Sequence, residues 1–164
     1  MNHPFLTLMT FLMFYITFFI SYHLSLTFID LAPPLKRTLL PVLIAVVIAY
    51  ISKICLEASA PVHTAVVVII YAGSIRLFNP INIILSLIGS LLTTITLTLG
   101  SMVMACPVFV KLGYAIPSKL NGLSWSLLAL LELVVPTLIL IILKISKFSL
   151  LKYLQIHMIK KHNL

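Results

Sequence analysis

The chain has 164 residues, of which 62% are hydrophobic and 9% are charged, and its mean hydropathy is +1.22. Soluble globular domains average about half apolar and about a quarter charged residues, so this composition excludes a soluble globular domain. The formal net charge is +8. Because the basic residues lie between and beside apolar runs, they indicate contact with anionic lipid and control of membrane topology, and no nucleic-acid ligand is needed to explain them.

Long apolar runs predict an all-α fold, a polytopic bundle of five transmembrane helices within residues 1–144, followed by a basic cytoplasmic tail at 145–164. The first predicted span, residues 5–28, contains no Lys, Arg, Asp or Glu. No Lys or Arg precedes it and no small-residue cleavage site follows it, so we expect a retained span rather than a signal peptide. Two prolines between Asp30 and Arg37 predict a loop.

The second predicted span covers residues 38–58 and has Pro41 in its first turn, where the missing N–H costs little. The third predicted span covers residues 62–78 and is short for a membrane crossing. It is bracketed by His63 and Arg76, whose side chains can reach the interface by snorkelling.

The fourth predicted span covers residues 81–105. Small and hydroxylated residues recur along it at helical spacing, so they share one face of a helix that is otherwise rich in Leu and Ile. We expect this small-residue face to pack against another helix, because small side chains permit the close backbone approach that stabilises helix pairs in lipid. Its members are Ser86, Gly89, Ser90, Thr93, Thr96 and Gly100.

Pro107, Gly113 and Pro117 predict a break after the fourth span, and the fifth predicted span covers residues 121–144. With a cytoplasmic tail, five spans place the N-terminus outside the cell membrane. This orientation puts eight basic residues inside and three outside, as the positive-inside rule requires. The inside set is Lys36, Arg37, Arg76, Lys144, Lys147, Lys152, Lys160 and Lys161, and the outside set is Lys53, Lys111 and Lys119.

Glu132 is a candidate proton or ligand site, because an acidic side chain within a span is costly and usually faces the bundle interior or a water-filled cavity. Pro136 lies four residues later, so the Glu132 carbonyl loses its usual helical donor and a kink is expected. The alternative is a protonated structural acid that bonds to hydroxyls such as those of Thr93 or Thr96. The sequence leaves both interpretations open.

A second candidate site consists of Lys53, Glu57 and His63, around the turn between the second and third spans. Lys53 and Glu57 have the i, i+4 spacing of a helical ion pair, and imidazole titrates near neutral pH. Such a cluster could bind a small anion or sense pH. It could equally be an ordinary interfacial polar belt.

No complete catalytic, metal-binding or cofactor-binding motif is recognised, so we expect neither an enzyme nor a cofactor. Membrane peptide-processing proteases of quorum-sensing systems use a Cys and His pair. Here Cys55 and His63 have the reverse order to the arrangement expected of those enzymes, which argues against that activity.

From Arg37 onwards, over about two thirds of the chain, several features follow a fixed order. A basic start and a short second span lead to the turn ending Pro61-Val62-His63-Thr64. A short third span closed by Arg76-Leu77-Phe78, a long fourth span, an extracytoplasmic loop and a fifth span ending in Lys follow. In this order the chain resembles the membrane modules that precede the catalytic part of sporulation-type (GHKL) sensor histidine kinases of Gram-positive bacteria.

The resemblance implies a sensory or regulatory membrane subunit that passes information to a separate kinase-like partner, because neither His157 nor His162 has a phosphoacceptor motif around it. A small substrate-binding subunit of a multi-component transporter, served by a transporter ATPase, is one alternative, with Glu132 and the small-residue face lining the path. A structural partner that assembles through the same face is another. The sequence specifies neither ligand nor oligomeric state.

Reporter fusions test the predicted topology. Alkaline phosphatase is active only after export, so we expect fusions after Leu164 to be inactive and fusions between Gly113 and Pro117 to be active, each normalised to the amount of fusion protein. The reverse pattern would overturn every inside and outside assignment.

Overall fold

A computed structural model of the chain describes residues 4–52, 59–111 and 129–147. This part of the chain is helical and contains no strand, which confirms the predicted all-α class. A π-helical segment, Ser101–Ala105, joins two of the helices, and residues 129–132 form a helical turn before the last one. The helices are α1 (Pro4–Phe28), α2 (Leu35–Tyr50), α3 (Ala60–Phe78), α4 (Ile83–Gly100), α5 (Cys106–Lys111) and α6 (Val134–Ser146).

Four helical stretches in the described residues have the length and apolar composition needed to cross a membrane, as expected of a multi-pass membrane protein. They are Leu8–Phe28, Pro61–Phe78, Ile83–Val108 and Ala129–Ser146. α2 has 16 residues and is not among them. The second predicted span continues through residues 53–58, which lie outside the described residues, so the count of five spans stays a prediction.

α2 begins at Leu35, three residues before the predicted start, so the basic pair lies in its first turn rather than in a loop. Pro34, at the N-cap position, has extended backbone angles and needs no N–H there. Pro41 consequently lies inside the helix and not in its first turn. It removes the usual donor to the carbonyl of Arg37, and that residue is exposed, so solvent or lipid headgroups can supply the missing bond.

The fourth span starts later than predicted and runs further. α4 begins at Ile83 because the Asn82 side chain caps it, accepting the N–H of Ile84 at 3.1 Å. After the π-helical segment the chain stays helical to Lys111, so the expectation that Pro107 breaks the helix is wrong. Pro107 is the second residue of α5, directly after a widened turn, where its ring and missing N–H are tolerated.

α1 ends in a left-handed residue that turns the chain toward α2. Asp30 has φ of 60°, its N–H donates to the Thr27 carbonyl at 3.2 Å, and the next N–H, of Leu31, donates to the Leu26 carbonyl at 2.8 Å. These two bonds form a Schellman motif, which satisfies carbonyls that would otherwise be unpaired at the end of the helix.

α1, α2, α3 and α4 form a ring in which each helix packs against its two neighbours, and α6 lies in the groove between α1 and α4. Aromatic side chains fill the ring. The Phe18 and Tyr71 ring centroids are 5.0 Å apart, and Tyr22 is 1% exposed. Small apolar residues of α2, among them Ala45 and Ala49, are fully buried against this aromatic core.

The six members of the small-residue face are the residues that α4 buries. Its central contact is with α1, where the Ser25 and Thr93 hydroxyl oxygens are 2.7 Å apart. Ser25 donates its only hydrogen to the Ser21 carbonyl at 3.0 Å, so Thr93 is the donor between the two helices. A Cβ at Gly89 would lie 3.0 Å from the Ser25 carbonyl oxygen, so the two backbones touch there.

A polar contact also joins α1 to α2. Thr38 is fully buried and donates its hydroxyl hydrogen to the Leu35 carbonyl at 2.7 Å. The His23 Nε2 atom lies 3.3 Å from the same hydroxyl oxygen and must therefore be the donor, which assigns its hydrogen to Nε2. The His23 imidazole thus holds the start of α2 against α1.

Basic residues concentrate where α1 and α3 end and where α6 finishes, which we term the basic end of the bundle. Lys111 is the described basic residue nearest the other end, which we term the opposite end. The exposed cations of the basic end are Lys36, Arg37, Arg76, Lys144 and Lys147.

Alanine substitutions at two glycines test the packing of the small-residue face. A Cβ at Gly73 meets nothing within 4 Å, so Gly73→Ala should stabilise the protein by about 0.5–1 kcal/mol through helix preference alone. Gly89→Ala should lose that gain and destabilise the protein by about 1–3 kcal/mol, because the Ser25 backbone cannot move aside cheaply. Unfolding in mixed micelles measures both, and equal effects would contradict the packing described.

Candidate functional site

Glu132 lies in the helical turn before α6, half-buried between α6 and α4. Four residues further along, Pro136 is buried and can donate no N–H to the Glu132 carbonyl. Leu133, between the helical turn and α6, is a turn residue with φ of −75° and ψ of −14°. The kink expected from the Glu132 and Pro136 spacing thus corresponds to an interruption in helix geometry at Leu133.

Gly100, the last residue of α4, faces this interruption. A Cβ at Gly100 would overlap the Glu132 carbonyl oxygen and lie 3.2 Å from the Pro136 ring. The Cα–H bond that takes the place of a side chain therefore points at the carbonyl that has lost its helical donor. Such Cα–H···O contacts contribute about 0.5–1 kcal/mol each, so glycine partly replaces the missing bond.

Ser101, the first residue of the π-helical segment, lies beside the Glu132 carboxyl group, within interaction distance of its hydroxyl. The described partner of the Glu132 carboxyl is thus Ser101, and the hydroxyls of Thr93 and Thr96, suggested from the sequence, make other contacts. Thr93 bonds to Ser25, and Thr96 donates to the Leu92 carbonyl at 2.8 Å.

We term the group Gly100, Ser101, Glu132 and Pro136 the α4–α6 joint. Two irregular helices meet in it, one widened by the π-helical segment and one interrupted by proline. π-Helical turns occur frequently at functional sites, and here one coincides with a half-buried acidic group. The Ser101 hydroxyl beside the Glu132 carboxyl group is the described polar contact between the two helices at this joint.

His63 lies in the first turns of α3, and its N–H donates to the Ser59 carbonyl at 2.9 Å. Lys53 and Glu57 fall within residues 53–58, outside the described residues, so their predicted grouping with His63 stays a prediction. The structure places His63 in the wall of a cavity instead.

The cavity has a volume of about 210 Å³ and lies between α1, α3, α4 and the turn before α6. Along α1 it runs from Thr10 to Phe18, and along α3 it runs from His63 to Tyr71. It therefore extends from the opposite end toward the middle of the bundle, over about 12 Å of helix axis at 1.5 Å per residue. α4 and the turn before α6 complete the wall with Thr94, Leu97, Thr98 and Ala129.

The cavity was not predicted from the sequence, although one signal for it is present. Thr10, Thr17 and Ser21 are spaced seven and four residues apart, so they share one face of α1. That hydroxylated face resembles the small-residue face of α4 in pattern. Tyr71 of α3 faces it and has no such signal, because it lies within an apolar span.

Within the described residues, no group of three or more His, Cys, Asp and Glu side chains could hold a metal ion. Cys106 is exposed and forms no disulfide. Comparison with known protein families, with curated proteins and with solved structures finds no match to this chain.

A substitution at Gly100 tests the joint. Gly100→Ala places a methyl group against the Glu132 carbonyl, so we expect α6 to move away from α4 and the protein to lose about 1–3 kcal/mol of stability. Spin labels at the exposed positions Leu91 and Ile142, introduced as cysteines in a background without native cysteines, would report the distance between the two helices.

The matched control is Gly89→Ala, which perturbs the contact of α4 with α1 instead. We expect that variant to leave the distance between the α4 and α6 labels unchanged. An unchanged distance in Gly100→Ala as well would show that the glycine does not position α6.

Proposed function

We propose that this protein is a sensory or regulatory membrane subunit that passes a change at the α4–α6 joint to a separate partner through the end of α6. The observation that carries the proposal is the half-buried Glu132 at the junction of two irregular helices. An acid within a span costs a few kcal/mol if ionised, so its retention at such a junction favours a role beyond packing.

α6 is suited to carry a displacement from the joint to the basic end. Its 13 residues form one helix of about 20 Å, with Pro136 near its start and Lys144 in its last turn. Backbone interruption before the helix lets α6 pivot without breaking its own hydrogen bonds. A change at Glu132 would then appear as a shift of Lys144 and Lys147 at the membrane surface.

The orientation proposed for this signal places the basic end in the cytoplasm. Five of the six basic residues among the described ranges lie at that end, in agreement with the positive-inside rule. A cytoplasmic kinase-like protein that contacts the end of α6 and the following tail is the partner expected from the resemblance to sensor kinase modules. The N-terminus would then be outside.

Packing of the small-residue face weighs against the two alternative functions. A transporter path or a structural assembly surface along this face needs its residues to be accessible. They are buried instead, against α1 at Gly89 and Thr93 and against the joint at Gly100. The face is used inside the subunit, which leaves Glu132 and the cavity as the candidates for external contacts.

Glu132→Gln tests the proposal, because glutamine keeps the size and hydrogen-bonding capacity of the side chain and removes its titratable proton. In the source organism, the gene is deleted and the variant is supplied in its place. We expect this strain to show the same transcript changes as the deletion strain that receives no copy. Membrane level and thermal stability of the variant should match those of the unsubstituted protein. The measurement is the transcript profile at several external pH values between about 5 and 8.

The control variant is Thr96→Val, which removes a buried hydroxyl that serves only its own helix. A deletion strain that carries Thr96→Val should show the transcript profile of a strain that carries the unsubstituted protein. If Glu132→Gln also restores that profile at every pH, Glu132 has a structural role and the proposed signalling through the joint is wrong.

A further inference from the structure

Three hydroxyl groups near the inner end of the cavity lack a hydrogen-bond partner. They belong to Thr17, Ser21 and Tyr71, and each hydroxyl oxygen is inaccessible to solvent. Ser21 and Tyr71 are 0% exposed, and their hydroxyls lie close together but outside hydrogen-bonding geometry. Thr17 and Tyr71 line the cavity, so we term the three residues the hydroxyl cluster.

These hydroxyls differ from most others in the described helices. Serine and threonine in a membrane helix ordinarily donate to a carbonyl one turn earlier, as Thr27 does to His23 at 2.7 Å and Thr98 does to Thr94 at 3.0 Å. Thr17 and Ser21 are in the same helix as Thr27 and have the same local option. Neither makes that bond, and Thr17 instead lines the cavity while the Ser21 hydroxyl lies beside that of Tyr71 on α3.

Leaving a buried hydroxyl unpaired destabilises the protein, so a group that pairs with the hydroxyl cluster would recover part of this cost. The walls on the way to the cluster are mostly apolar, with Met13, Phe14 and Val67 beside His63 and several threonines, and the Phe18 ring packs at a tilt against Tyr71 at the inner end. No Lys, Arg, Asp or Glu is among the lining residues that the structure describes. The chemistry therefore fits a molecule with an uncharged polar head and an apolar body.

Cavity size limits the body of this molecule. An engineered apolar cavity of about 150 Å³ binds benzene, so about 210 Å³ fits one aromatic ring with a short alkyl chain. Phe14 and Phe18 offer ring faces and edges against which such a body can pack. A long lipid acyl chain exceeds the depth of about 12 Å.

We propose that the cavity is a binding site for a small uncharged amphiphile of the alkylphenol or aromatic alcohol class, with its head on Thr17 and Tyr71 and its body between α1 and α3. The regulatory role of this site rests on the proposed function, because the ligand would act on the α4–α6 joint. Thr98 and Ala129 line the cavity, and Ser101 and Glu132 follow them by three residues in their helices. The ligand thus lies about one helical turn from the α4–α6 joint.

Binding of 4-propylphenol to the full-length protein in lipid nanodiscs tests the site, with 1-methyl-4-propylbenzene as the analogue that lacks the hydroxyl. Ligand-detected NMR titration against empty nanodiscs gives dissociation constants corrected for partition into lipid. We expect saturable binding of the phenol. Thr17→Val keeps the shape of the side chain and should weaken phenol binding about three- to tenfold while leaving the hydrocarbon unaffected.

The matched control is Thr27→Val, whose hydroxyl serves its own helix at the basic end and should not affect either ligand. A second variant, Val67→Phe, fills the cavity and should abolish saturable binding of both ligands. Equal phenol affinity in Thr17→Val and the unsubstituted protein would overturn the placement of the head. Absence of saturable binding, or tighter binding of the anion 4-propylbenzoate, would overturn the proposed ligand class.

These measurements need no partner protein, so they separate the site from the proposed function. Saturable phenol binding that Thr17→Val weakens establishes the site, even if Glu132→Gln proves silent in cells. In that outcome the cavity is a ligand site of a protein with another role. Loss of binding together with a Glu132-dependent response would overturn the site and leave the signalling proposal standing.

Discussion

Water is absent from the hydrocarbon core of a bilayer, so each polar group of a spanning helix must find its partner within the protein. Most hydroxyls of the described helices do so locally, by donating to a carbonyl of the preceding turn. Several groups depart from this pattern, the buried Tyr22 hydroxyl among them, and two of these departures bear on function. One is the Glu132 carbonyl, whose donor Pro136 removes, and the other is the hydroxyl cluster. The hydroxyl cluster is at the inner end of the cavity, and Glu132 follows Ala129 of its wall by about one helical turn.

The close approach of α4 to its neighbours explains how these departures are held in place. Gly89 brings the α4 backbone against α1, and Gly100 brings it against the turn before α6. Between them, the Thr93 and Ser25 hydroxyls fix the register of α4 on α1. Because both contacts belong to one face of α4, a shift of α4 along α1 would also separate Gly100 from the Glu132 carbonyl.

Regular features of this fold could be predicted from the sequence. The 5–28 span agrees with α1 to within one residue at its start, since no Lys, Arg, Asp or Glu interrupts it. Helical spacing also identified the six residues that α4 buries, because small side chains along one face of an apolar helix indicate close packing against another helix. Pro34 and Pro41 misled the interpretation of α2, since a proline inside a helix and one before it leave similar sequence patterns.

Irregular features could not be predicted in the same way. The proximity of Ser101 to Glu132 depends on how α4 and the turn before α6 pack together, and the π-helical segment that begins at Ser101 has no clear sequence signal. The cavity depends on how far α1 and α3 stand apart, a distance that no single helix encodes. The predicted cluster of Lys53, Glu57 and His63 is still a prediction, because only His63 belongs to the described residues.

The groove that α6 occupies has a consequence for biogenesis. During synthesis, α1 to α4 emerge from the ribosome before α6 does, so the groove between α1 and α4 is first filled by lipid. Glycine at position 100 offers lipid tails little surface to pack against, which makes their displacement by a matching helix favourable. Insertion of α6 therefore completes the packing of the described helices, because it covers the groove between α1 and α4.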